Sequence, residues 1–110
     1  SSEQLQEALA LLSSQPEDVA SEAVAVSSKL LGNLAQNFSD EKFHKVRLAN
    51  KTFNKKVGSV AGGIELMTAA GFILTTDGDE PVLVYPEGLA APVSLTAALQ
   101  SCLALTGQFE

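Results

Sequence analysis

The residues best equipped to do chemistry in this chain are its cations. All seven lysines and arginines (Lys29, Lys42, Lys45, Arg47, Lys51, Lys55 and Lys56) fall between positions 29 and 56. Only Asp40 and Glu41 of the thirteen acids share that window, so it carries a net +5, while the rest of the chain holds eleven acids and no cation. A protein of net charge −6 that gathers its cations in this way presents one basic face. Such a face draws an anionic partner by local field, whatever the total charge. The same window holds five carboxamides, Asn33, Gln36, Asn37, Asn50 and Asn54, and among its apolar residues Leu30 and Phe53. On pattern alone Leu30 and Phe53 read as core residues, and Asn33 and Asn50 as caps of helices or turns.

The groups that bond-making would need are missing. Nucleophilic catalysis takes a nucleophile, a base and usually an orienting group. The sole thiol, Cys102, falls on the apolar side of a predicted helix and reads as a buried, inert residue. The sole histidine, His44, sits among Lys42, Lys45 and Arg47, whose charge disfavours its protonation; it reads as a surface or binding-face residue, not a metal ligand. Asp77, Asp79 and Glu80 lack the twelve-residue calcium-loop pattern and read as a solvated hairpin tip. Gly62-Gly63 lacks the phosphate-loop frame, which leaves tight packing as its explanation. No catalytic residue, metal or cofactor is expected. One cysteine excludes an internal disulfide. The sequons Asn37-Phe38-Ser39 and Asn50-Lys51-Thr52 stand without other secretory signs, so a reducing cytoplasmic or nuclear setting without glycosylation is expected. No apolar run approaches the ~20 residues that span a bilayer, and the first residues resemble no signal peptide.

Helices must carry most of these groups. Leu5, Ala8, Leu9 and Leu12 repeat at helical spacing. Ser13 to Pro16 interrupts them, and Pro16 followed by Glu17 and Asp18 starts a second helix that runs to about Gln36 and buries Val19, Ala23, Val26, Leu30 and Leu34. Ser39 is placed to cap a third helical stretch whose apolar positions are Phe43, Val46, Ala49, Phe53 and Val57, with a break near Asn50. On that stretch Arg47, Lys51 and Lys55 lie four apart and form an outward ridge. Ser59 is expected to cap a further helix burying Ile64, Leu66 and Met67, with Gly71 as its left-handed terminus. Phe72 to Leu74 and Val82 to Tyr85 flank Asp77-Gly78-Asp79-Glu80 as a hairpin. Ser94 then opens a last helix burying Leu95, Leu99, Cys102 and Leu103 and ending at Gly107. The 110 residues thus read as one mainly helical α+β domain with a small antiparallel sheet in the C-terminal third.

The run Asp40-Glu41-Lys42-Phe43, Arg47, Asn50, Phe53, Lys56-Val57, Gly62-Gly63, Glu65 and Gly71-Phe72 resembles the PUB domain, found in peptide:N-glycanases, UBX-containing adaptors and the ligase that makes linear ubiquitin chains. The resemblance is strongest over residues 26–74, and Val82 to Pro86 is similar to the family's strand ending in proline. It implies helices packed on a small antiparallel sheet. It also implies a non-catalytic adaptor that binds the acidic, Leu-Tyr-containing C-terminal tail of valosin-containing protein, a hexameric AAA ATPase. Such an adaptor links its parent to ubiquitin-dependent and ER-associated degradation, and similar motifs in other proteins are further partners.

Carried over by position, the resemblance makes Asn33 and Asn50 the residues that hold the peptide backbone and Arg47 the contact for ligand acids. Thr52, Phe53 and Leu30 border the pocket for the aromatic ring, Lys51 adds to the contact surface, and Lys42, Lys45, Lys55 and Lys56 steer. Leu30 stands where several relatives have tyrosine, Ala49 where the linear-chain ligase has a second asparagine, and Thr52 where that ligase has an apolar residue. These changes bear on peptide preference. Nucleic-acid binding through the 29–56 face is the alternative, against which stand the overall acidity and the lack of any nucleic-acid motif. A structural or oligomerising domain is a third reading. A monomer with no membrane contact is expected.

Overall fold

Helix α2 (Glu17–Gln36) is the longest element of the computed structural model, which describes residues 2–108, and the other long helices all contact it. Pro16 stands at its N-cap, with Glu17 and Asp18 in the first turn where the dipole favours them. Its buried face is Ala20, Ala23, Val24, Ser27, Leu31 and Leu34. This face is rotated from the expected stripe: Val19, Val26 and Leu30 are only half-buried, which places Val26 and Leu30 at the edge of the core. Helix α1 (Ser2–Ser13) buries Leu5, Ala8 and Leu12 against helix α4 (Gly63–Ala70).

The stretch between these helices departs from expectation. A 3-10 turn (Glu41–His44) leads into a three-residue strand β1 (Lys45–Arg47), and only after a turn does a helix resume, as α3 (Lys51–Phe53) widening into a π turn (Asn54–Gly58). Arg47 therefore lies on a strand, and the ridge of Arg47, Lys51 and Lys55 does not form. The cap of the 3-10 turn is Asp40, not Ser39; its carboxylate accepts from the Lys42 N–H at 3.1 Å. Ser59 closes the π turn instead of opening α4, whose N-cap is Gly62 at φ 94°. A Cβ on Gly62 would stand 2.8 Å from the Ala8 carbonyl oxygen, so the glycine is what lets α1 lie against α4.

Gly71 ends α4 in the left-handed region at φ 119°, as expected, and the chain turns into the hairpin of β2 (Ile73–Asp77) and β3 (Glu80–Val84). Gly78 takes φ 63° at its tip. The antiparallel sheet has the order β1-β3-β2, with Lys45 opposite Val84, Arg47 opposite Val82 and Asp77 opposite Glu80. Opposed residues share a face, so Lys45, Arg47, Asp77 and Glu80 all stand on one side of the sheet. Helix α5 (Val93–Gln108) packs on α2 and buries Leu95, Ala98 and Cys102; Leu103 is exposed, contrary to expectation, and Ser94 lies within the first turn instead of capping it. Burial pushes the Cys102 thiol up to about 11, consistent with an inert packing role.

Candidate functional site

A cleft of about 580 Å³ opens between the outer face of α2, strand β1 and the segment from Asn50 to Lys56. One wall is helical: Val26, Lys29, Leu30 and Asn33 recur at three and four residues and so face the same way. The opposite wall is Lys45, Val46 and Arg47, and the end is closed by Asn50, Thr52, Phe53 and Lys56. Phe53 is buried yet lines the cavity. The rotation of α2 explains why apolar Val26 and Leu30 are available here: they are what the core leaves over.

The amides are poised differently. Asn50 caps α3, its Oδ1 accepting from the Phe53 N–H at 3.0 Å. That bond fixes which way the carboxamide points and leaves its NH₂ to donate elsewhere. The Asn33 carboxamide makes no hydrogen bond to the described residues, so both its donor and its acceptor are open to the cleft. Asn37 instead bonds the Asn33 main-chain oxygen, from its backbone N–H at 3.0 Å and its side chain at 2.9 Å.

The cations divide into two sets. Arg47 donates two bonds to Glu80, Nε to Oε2 at 3.0 Å and Nη2 to Oε1 at 2.7 Å, and Lys45 pairs with Asp77. The hairpin tip expected to be merely solvated therefore pairs with both cations of the β1 wall. Bonding from Lys45 and Arg47 holds the Asp77 and Glu80 carboxyls below their ordinary range. Lys42 lies 3.8 Å from Asp40. Among the described residues, Lys29, Lys51, Lys55 and Lys56 have no ion pair, and of these Lys29 and Lys56 line the cleft.

Of the residues expected to contact a peptide, Leu30, Asn33, Arg47, Asn50, Thr52 and Phe53 come together in this cleft and Lys51 stays outside it. Lys45 and Lys56, expected only to steer, line it, whereas Lys42 and Lys55 do not. Val26 and Lys29 went unnoticed as site residues. They share a helix face with Leu30 and Asn33, but spacing alone does not say whether that face meets the core or the cleft.

His44 belongs to none of this. It is buried, with Nδ1 2.9 Å from the Tyr85 carbonyl oxygen and Nε2 2.6 Å from that of Phe38. The expectation of a surface residue with disfavoured protonation is overturned by its partners. Burial lowers its pKa, but the two carbonyls, with Glu87 and Glu41, outweigh that and leave it raised. Carbonyls only accept, so satisfying both requires both ring nitrogens to carry protons.

Comparison with known proteins agrees with this architecture. Residues 17–97 match the PUB domain family. UBX domain-containing protein 6 of Caenorhabditis elegans is 30% identical over 79 residues, covering 72% of this chain and 18% of that protein. Plant UBX domain-containing protein 2 of Arabidopsis thaliana is 36% identical over 58 residues, covering 53% of this chain and 13% of that protein. The chain spans less than a fifth of the length of either relative. With a fold of helices on a small antiparallel sheet and a family match over most of its length, the chain belongs to the PUB domain family of protein-interaction modules.

Proposed function

We propose that the cleft binds the acidic, Leu-Tyr-containing C-terminal tail of a valosin-containing-protein-type AAA ATPase, and that the module thereby couples its parent protein to ubiquitin-dependent degradation. The observation that carries this reading is the convergence, in one cleft of a PUB domain, of two carboxamides with unused capacity, an apolar wall and two unpaired lysines. An aromatic ring would enter between Val26, Leu30 and Phe53. Its burial at roughly 25 cal/mol per Å² contributes about 2–3 kcal/mol. Asn33 would pair with a peptide N–H or C=O and Asn50 would donate to a C=O, since extended backbone in a cleft needs partners. Charge mainly raises the encounter rate and rejects basic peptides. A short tail held this way binds in roughly the micromolar range, about −7 to −8 kcal/mol.

Phosphorylation of the ligand tyrosine should weaken binding, because a doubly charged group would have to enter an apolar pocket. The direct test is amide NMR during titration with a synthetic acidic peptide ending in Leu-Tyr. Shifts should cluster at Leu30, Asn33, Arg47 and Asn50, and affinity should decline only gently with salt. Shifts confined elsewhere overturn the reading. A steep collapse with salt would instead mark a nucleic-acid phosphate contact, a reading the internal pairing of Lys45 and Arg47 disfavours.

A further inference from the structure

We infer that the β2–β3 hairpin is a built-in competitor for the ligand's acids: Asp77 and Glu80 hold Lys45 and Arg47 of the cleft, and an incoming peptide must exchange with them. This rests on the tail-binding reading above. The four side chains stand on one face of the sheet, and each pair joins residues from different strands: Arg47 on β1 to Glu80 on β3, and Lys45 on β1 across β3 to Asp77 on β2. Both cations line the cleft.

Two features make these pairs exchangeable. All four side chains are substantially exposed, so water and salt screen them and the pairs add little to folding. Their partners are also flexible side chains, free to swing aside without moving the backbone. The pairs nonetheless set a threshold, because a tethered carboxylate competes at high effective concentration against any free anion. A stray anionic chain, offering charge alone, meets cations that are already occupied. A peptide whose ring is seated in the cleft has its own acids tethered in turn, and can then displace Glu80 from the Arg47 guanidinium. In this way the hairpin makes charge recognition conditional on aromatic anchoring. The cleft-lining cations that have no ion pair among the described residues, Lys29 and Lys56, remain to attract the tail before exchange.

The test compares the unsubstituted chain with Glu80→Gln and Asp77→Asn/Glu80→Gln. Each is titrated with an acidic peptide ending in Leu-Tyr and with the same peptide carrying Asn and Gln in place of its acids. Glu80→Gln should tighten the acidic peptide about three- to tenfold at low salt and the double variant further, with a steeper salt dependence. The neutral peptide should bind all three proteins alike. Unchanged or weaker binding of the acidic peptide by Glu80→Gln, while the unsubstituted chain binds it, overturns the competitor alone, and weaker binding would show Glu80 to be a positioning residue for Arg47. Equal tightening of both peptides also overturns it. Failure of all three proteins to bind either peptide overturns the tail-binding reading itself, and the competitor falls with it.

Discussion

His44, just before β1, and Arg47, its last residue, are three residues apart, and in the sequence they belong to one basic cluster. The fold uses them in opposite ways. His44 is buried with both ring nitrogens against main-chain carbonyls, on Tyr85 and Phe38, and its own carbonyl accepts the Tyr85 N–H at 2.7 Å. Tyr85 in turn donates to the Ala70 carbonyl at 2.7 Å, and the rings of Phe38, Phe72 and His44 pack around it. The Arg47 side chain is exposed, and its guanidinium bonds only the Glu80 carboxylate among the described residues. Main-chain acceptors cannot leave without unfolding, whereas a carboxylate on a flexible stem can. One end of β1 is therefore riveted and the other is exchangeable, and only the exchangeable end faces the cleft.

The sharpest way to break this contrast is to remove each group in turn. His44→Ala empties a buried volume and strands two carbonyls, so it should cost about 2–4 kcal/mol. In a domain of this size that lowers the thermal midpoint by about 10–20 °C. Arg47→Ala should leave the midpoint where it was. Melting curves followed by circular dichroism decide the matter, and equal drops for the two variants would abolish the distinction.

Which of these two fates awaited a residue was not legible in the sequence, and the reason is physical. Local signals were readable: Pro16 with its following acids began α2, the left-handed Gly71 ended α4, and Gly78 turned the hairpin, because each depends on near neighbours. The α+β class followed from them. From Phe43 to Val57 the apolar spacing suits a helix, but pairing with β3 overrides it over Lys45 to Arg47, and β3 lies more than thirty residues away. The same separation hid the ion pairs, whose partners are 32 and 33 residues apart, and the carbonyl of Tyr85, 41 residues from His44. Asn33, Asn50, Leu30 and Phe53 were legible as a set through family resemblance and helical spacing. The rotation of α2 that opens Val26 and Lys29 to the cleft was not, since Leu30 and Leu31 compete equally for the core until the partners of α2 are known.

Asn50 sharpens the comparison because it stands halfway, with its oxygen held by the backbone and its NH₂ open. Asn50→Ala should lose the cap, about 1 kcal/mol of stability, and also weaken peptide binding about tenfold or more. Asn50→Ser keeps a capping oxygen and should recover the stability while leaving binding weak. A serine variant that binds the acidic peptide as well as the unsubstituted chain would show that the open NH₂ meets no ligand.

The two ends of β1 should also respond to pH with opposite signs. His44 has its folded pKa raised above 6.5, so the stability it contributes is complete below that value and is lost as pH rises through the folded pKa. The midpoint should therefore fall as pH rises above 6.5, and His44→Gln should flatten that slope. Asp77 and Glu80 are lowered from 3.8 and 4.5, so what they contribute is present above those values and is lost on acidification. A slope of the same sign in both windows, or one that survives His44→Gln, contradicts the assignment.

The smallest expected effect separates lysines that differ only in where they stand. Lys56 lines the cleft without an ion pair; Lys51, five residues earlier at the start of α3, is equally unpaired but outside it. Lys51 stands between Asn50 and Thr52 in the chain but its side chain does not line the cleft, and a charge kept in water is screened more than one against the ligand. A peptide seated in the cleft should therefore register Lys56 strongly and Lys51 faintly. Lys56→Ala should weaken the acidic peptide about threefold, chiefly through a slower association rate, and Lys51→Ala less than about twofold. Stopped-flow association at two salt concentrations separates the outcomes, because net charge alone makes the two variants identical. Equal slowing by both would mean that the basic window acts as a diffuse field, and the division between occupied and open cations around the cleft would then have no consequence for binding.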